Sequence, residues 1–259
     1  MRSKLVHVWF VVCVVGPAFA CVGCKVGFIS PEDYIQMGKS FQNKGDCEQA
    51  AKHFQMAVDR ARCTGDKWQR AGALELLGVV YYAQGKYTEA QSHLEQAVAA
   101  FKEAKGPDDV SVAVAIKNLA WFHLQRGNYS EAKSSYDRAL DIADKALGPA
   151  HPQLGVLKND QALAYQLDGD LAGAERLFWE AISIFESLEK PSENTNLALA
   201  NSLRNLGRLY LEQKRWAEAE AVLKRTLGLL KGLGTADADL HKSVLQDHER
   251  AVQALEEKR

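Results

Sequence analysis

The chain has 259 residues, of which 47% are hydrophobic and 25% charged, and its formal net charge is −1. This is ordinary globular composition. A near-neutral balance with no clustered Lys/Arg run excludes a nucleic-acid-binding stripe, and the length suits one stacked domain without a long linker.

The first element, residues 1–20, reads as an export signal. Arg2 and Lys4 precede an apolar run from Leu5 to Val15, and Gly16-Pro17 and Ala18-Phe19-Ala20 follow. A charged start, an apolar core and an A-x-A site form the pattern of a secretory signal peptide. The run is short for a membrane-spanning helix, which takes about 20 apolar residues. Residues 21–30 then read as a tether. Cys21 follows Ala20 and Cys24 follows Gly23, so either cysteine resembles the lipid-modified residue of a bacterial lipoprotein. Phe19 is bulky for the first junction, and Cys21 takes the usual leucine place of the second. Lipid anchoring and free secretion both stay open. The membrane enters only through such an N-terminal lipid, which holds a protein firmly when several acyl chains are attached.

From Pro31 onward one local pattern recurs. Ala50, Ala90, Ala132, Ala174 and Ala219 are spaced by 40, 42, 42 and 45 residues, and twelve residues before each lies another small residue: Gly38, Gly78, Ala120, Ala162 and Gly207. Apolar and small residues recur at helical spacing on both sides of Gly45, Gly85, Gly127 and Gly169, which predicts two helices joined by a tight turn. A left-handed glycine ends the first helix of each pair. In the fifth repeat Lys214 stands at the turn. A non-glycine residue there costs about 1–2 kcal/mol, so a turn of different shape is expected. Gly106-Pro107 and Gly148-Pro149 are expected to stop the second helices of repeats two and three, and Pro191 to do the same before repeat five. Asp237–Lys258 sets Leu240, Val244, Leu245, Ala251, Val252 and Leu255 on one helical face, as a solenoid's end cap requires.

These residues resemble the tetratricopeptide repeat family over about Pro31 to Lys231. The step near 42, rather than 34, and the connector Ala146-Leu147-Gly148-Pro149-Ala150-His151-Pro152 are similar to the kinesin-light-chain type. The expected fold is all-α, a right-handed superhelical solenoid of helix-turn-helix repeats. Five repeats occupy residues 31–236, and a capping helix occupies 237–259.

Cys47 and Cys63 fall on one predicted helix. Sixteen residues of helix span about 24 Å, beyond the roughly 7 Å between Cα atoms that a disulfide allows. They are therefore expected not to pair with each other. Buried free thiols are the first expectation, and a bridge from Cys21 or Cys24 the alternative. No GxSxG, HExxH or phosphate-loop motif occurs, and Cys21–Cys24 has CxxC form without a redox domain behind it. His241 and His248 fall short of the about four ligands a metal site takes. No enzyme activity, metal or cofactor is expected.

The resemblance implies a concave groove lined by the first helix of each repeat. Carried onto this chain, its lining includes Lys39, Glu75, Tyr82, Lys117, Trp121, Asn159, Arg204 and Arg208. Asn118 and Asn205 lie beside them and are expected to hydrogen-bond a ligand backbone, since an amide both donates and accepts. Trp121 suits an anchor role, and Arg204 and Arg208, one turn apart, suit a carboxylate. The expected function is a non-enzymatic scaffold of the cell envelope that binds a protein or acidic peptide and helps assemble a multiprotein complex. Its alternatives are a self-associating structural protein and a cytosolic or membrane-anchored adaptor.

Overall fold

The computed structural model describes residues 29–233 and 238–257. The export signal, Cys21 and Cys24 lie outside the described residues. Among those described the chain is all-helical. Eleven helices run α1 (Pro31–Asn43), α2 (Cys47–Thr64), α3 (Lys67–Ala83), α4 (Tyr87–Lys105), α5 (Val110–Gln125), α6 (Tyr129–Leu147), α7 (Pro152–Leu167), α8 (Leu171–Glu186), α9 (Glu193–Glu212), α10 (Trp216–Gly232) and α11 (Ala238–Glu256).

Polar side chains start most of these helices. Ser30 and Asp33 cap each other reciprocally ahead of α1, with Pro31 in the first turn. The carboxylates of Asp46, Asp66 and Asp170 accept backbone N–H groups of α2, α3 and α8 at 2.8–3.0 Å. Each such bond satisfies a donor that the first helical turn leaves open and stabilises by about 1 kcal/mol.

The turn within each repeat has one geometry. Gly85 has φ +75°, its N–H bonds to the Tyr82 carbonyl at 2.9 Å, and the Lys86 N–H bonds to Tyr81 at 2.9 Å. Lys214 does not change this shape, contrary to expectation: it takes φ +59°, its N–H bonds to Leu211 at 3.1 Å, and the Arg215 N–H bonds to Tyr210 at 2.9 Å. The neighbouring side chain supplies the compensation. Arg215 forks onto Glu175 of the preceding repeat at 2.6 and 3.1 Å and lies over the Tyr210 ring at 4.1 Å. Pro191 also acts differently from expectation. Helix α8 has already ended at Glu186, where the Ser187 hydroxyl bonds to the Ile184 carbonyl at 2.8 Å, so Pro191 sits in the connector to α9.

The small residues bring paired helices together. A Cβ on Gly78 would lie 2.8 Å from Leu94 and 3.2 Å from the Ala90 carbonyl oxygen. Phe54, Leu94, Tyr136, Phe178 and Leu223, equivalent residues of the five second helices, fill the seams and are all buried. Each contributes roughly 1.5–3 kcal/mol by leaving water. Cys47 sits half-buried in the first seam beside Phe41 and Tyr81, and is a free thiol. Cys63 is exposed near the end of α2 and is disulfide-bonded, so the free-thiol expectation holds for Cys47 alone.

Helix contacts define the inner surface. Each odd-numbered helix approaches the next odd-numbered one closely, whereas consecutive even-numbered helices stand further apart, α8 and α10 meeting through the Glu186–Arg225 ion pair. A stack packed this way curves, with the odd helices crowded on its inside. Helix α11 continues the odd row and packs Leu240, Val244 and Ala251 onto α9 and α10.

Candidate peptide-binding groove

Two lanes run along the inner surface, set by helical spacing from the small residue of each odd helix. The first lane comprises the residues two and three positions before it. Here each helix is joined to the next. Ile35 and Leu76 share an apolar cluster. The Asn118 amide donates to the Glu75 carboxylate. The Asn205 amide donates to the Asn159 carbonyl oxygen at 3.0 Å. Arg204 donates to the Ser243 hydroxyl of α11 at 2.8 Å and lies 3.9 Å from Asp247.

Lys117 occupies the middle of this lane. Burial pushes the Glu75 carboxyl up from its ordinary range, while the Asn118 hydrogen bond and the Lys117 charge pull it back. Burial likewise raises the Asp160 carboxyl against the pull of Lys117 and of a hydrogen bond from Asn159. One cation therefore serves two shielded carboxylates on neighbouring helices. Asn118, Asn159, Asn205 and Arg204 spend hydrogen-bonding capacity on adjacent repeats or the cap, where the family resemblance implied contacts with a ligand.

The second lane comprises the residues one, four and five positions after the small residue. It is predominantly apolar from Val79 and Tyr82 through Trp121, Leu124, Leu163 and Leu167 to Leu211. Trp121 packs edge-on against Tyr82 of the preceding repeat, with ring centroids 4.9 Å apart, yet stays 39% exposed. Tyr82 also meets Tyr87 at 5.5 Å, and Arg126 lies over the Tyr87 ring at 4.1 Å. Further along, a cavity of about 470 Å³ opens between α5, α7, α9 and α11. Leu124, Leu163 and Leu211 line it together with Arg208 and Arg250. Leu167 stands 55% exposed on its wall. Gln166 donates to Glu212 across it at 2.7 Å. The side chain of Arg208 is 56% exposed and has Asp247 3.9 Å away. Lys39 is exposed on α1, at the far end of the same lane.

Leu167, Arg250, Tyr87 and Arg126 join this surface although they stand outside the expected lining. Leu167 had a legible signal: it is the one leucine at a place where other repeats carry Asn43, Ala83, Gln125 and Glu212. Arg250 had none, because its place depends on how the cap docks.

The arrangement can hold an extended or helical segment by burying apolar side chains, with Arg208 and Arg250 beside Asp247 and Glu212 at one end. Among the described residues no group of three or more His, Cys, Asp or Glu side chains is placed to hold a metal ion.

The tetratricopeptide repeat profile matches residues 34–103, 69–143 and 111–187, and a second profile of the same description matches 199–231. No curated protein matches the chain in sequence. Several solved structures share its fold. BtubC (BKLC) from P. vanneervenii aligns with a TM-score of 0.70 at 22% identity, covering 80% of this chain and 82% of that one. The nearly identical TPR-like repeats of a putative kinesin light chain from Podosopora anserina align at 0.64 and 22%, covering 79% and 97%. A thermophilic TPR protein from Thermus thermophilus, TTC0263, aligns at 0.55 and 18%, covering 84% and 98%.

Proposed function

Because the chain belongs to the tetratricopeptide repeat family, we propose that it is a non-enzymatic scaffold of the cell envelope whose second lane takes up a segment of a partner protein, in the assembly of a multiprotein complex. Proteins of this family typically bind protein or peptide partners. The observation that carries the reading here is the exposed apolar row of Trp121 and Leu167 beside Arg208 and Arg250. Large apolar anchors in a partly enclosed groove provide most of the affinity of such contacts. The two arginines add preference for an acidic group, since a guanidinium donates in a planar fork that matches a carboxylate.

The signal pattern of residues 1–20 supports export. Cys21 or Cys24 would carry the lipid if the protein is membrane-tethered.

Selection of displayed peptides on the purified protein tests the groove. Enrichment of sequences that combine large apolar residues with Asp or Glu is expected, and Trp121→Ala, Leu167→Asp and Arg208→Glu should each lose them. Peptides retained equally by all three variants would place the site elsewhere. The intact mass of the cell product tests the location. A product beginning at Cys21 or Cys24 supports the envelope reading, and one beginning at Met1 removes it.

A further inference from the structure

Helix α11 stands where the first helix of a sixth repeat would stand. From α3 to α9, each odd-numbered helix touches four neighbours: the preceding odd helix, the preceding even helix, its own partner in the repeat and the next odd helix. Among the described residues, helix α11 touches only α9 and α10. Its buried line is Leu240, Val244 and Ala251. Leu245 and Val252 each follow one residue of that line, so they point about 100° further round the helix. Leu245 is 39% exposed. Ala238, Leu245 and Val252 are seven residues apart, and His241, His248 and Leu255 each follow three residues later. That spacing makes the seam of a two-helix pair.

We propose that this face is where a second copy of the chain docks, with the two α11 helices antiparallel across a two-fold axis. The charges select this occupant. Lys242 and Glu249 lie on the same solvent-facing flank of the seam, and both are exposed. In an antiparallel pair like flanks meet, so Lys242 of one copy opposes Glu249 of the other, and the symmetry makes the contact twice. In a parallel pair those flanks fall on opposite sides of the seam and the charges never meet. The contact is one nineteen-residue helix against its copy. It falls at the small end of specific interfaces, so the affinity is weak, in the micromolar to millimolar range.

Sedimentation equilibrium of the purified protein, from micromolar to near-millimolar concentration, tests this. A mass that climbs toward twice that of the single chain is expected. Leu245→Asp and Glu249→Lys should each weaken dimerisation at least tenfold. Lys242→Glu combined with Glu249→Lys should restore it. All three positions are exposed, so helix content by circular dichroism should be unchanged, and peptide capture by the second lane should be unaffected. A wild-type protein that stays monomeric overturns the proposal. So does a dimer indifferent to Leu245→Asp, or a charge swap that fails to restore association.

Discussion

The two lanes of the inner surface lie on the same five helices, a single turn apart, and differ in what their side chains face. In the first lane Glu75, Lys117, Asn159 and Arg204 reach sideways to the next repeat or the cap. In the second lane Trp121 and Leu167 keep much of their surface in water. The difference follows from chemistry more than from position. A half-buried charge or amide is costly unless paired, and on a tightly stacked row the nearest partner is the adjacent helix. An apolar side chain has no such obligation and stays available. Polar character on a concave face is therefore a poor guide to ligand contact here, and leftover apolar exposure a better one.

The largest effect expected from breaking this comparison is on stability. Lys117→Met removes the cation that serves both Glu75 and Asp160. Leaving shielded carboxylates without their partner should cost about 2–3 kcal/mol at neutral pH, read by urea unfolding, while the folded fraction binds second-lane peptides unchanged. A stable variant that has lost peptide binding would reverse the roles of the two lanes.

The opposite result is expected in the second lane. Trp121→Ala with Leu167→Asp should weaken peptide binding by about 2 kcal/mol, roughly thirty-fold. Stability should fall by only about 1 kcal/mol, mainly the aromatic contact with Tyr82. Titration calorimetry and urea unfolding on the same preparation separate the two quantities. Asn118→Ala is the matched first-lane change. It should lower stability by about 1 kcal/mol, because Glu75 loses its donor, with no change in peptide affinity.

The repeats were legible in the sequence because packing imposes their period. Gly78 cannot carry a Cβ against Leu94, and Ala50, Ala90, Ala132, Ala174 and Ala219 are all fully buried. The division of labour between lanes was not legible. Asn118 meets Glu75 across 43 residues, and Asn205 meets Asn159 across 46. Whether an amide on a helix face turns to a ligand or to the next repeat depends on inter-repeat spacing, which no local pattern encodes. The shape of the Lys214 turn is hidden from the sequence for a related reason. The lysine is a local signal, whereas the Arg215 fork onto Glu175 that steadies the turn spans 40 residues.

The finest test is a change of charge without a change of shape. Glu75→Gln keeps an oxygen that can accept from Asn118 and removes the shielded charge. Burial holds the folded carboxyl above its ordinary pKa of 4.5, so the folded state binds this proton more readily than the unfolded state does. Ionised Glu75 therefore opposes folding above its folded pKa, and that cost fades as pH falls to the ordinary carboxylate range. The glutamine variant should be more stable than wild type at neutral pH by a few tenths of a kcal/mol to about 1 kcal/mol, and the gain should vanish on acidification. Glu175, on the outer helix α8, supplies the contrast. Its hydrogen bonds from Arg215 hold it below the ordinary range, so Glu175→Gln should cost about 1 kcal/mol at neutral pH. That cost should disappear as pH falls through the folded pKa. Opposite signs in one pH series would show that the first lane tolerates its carboxylate for the sake of stacking, while the outer pair draws stability from its own. A loss of stability in Glu75→Gln at neutral pH would instead make Glu75 and Lys117 a stabilising ion pair.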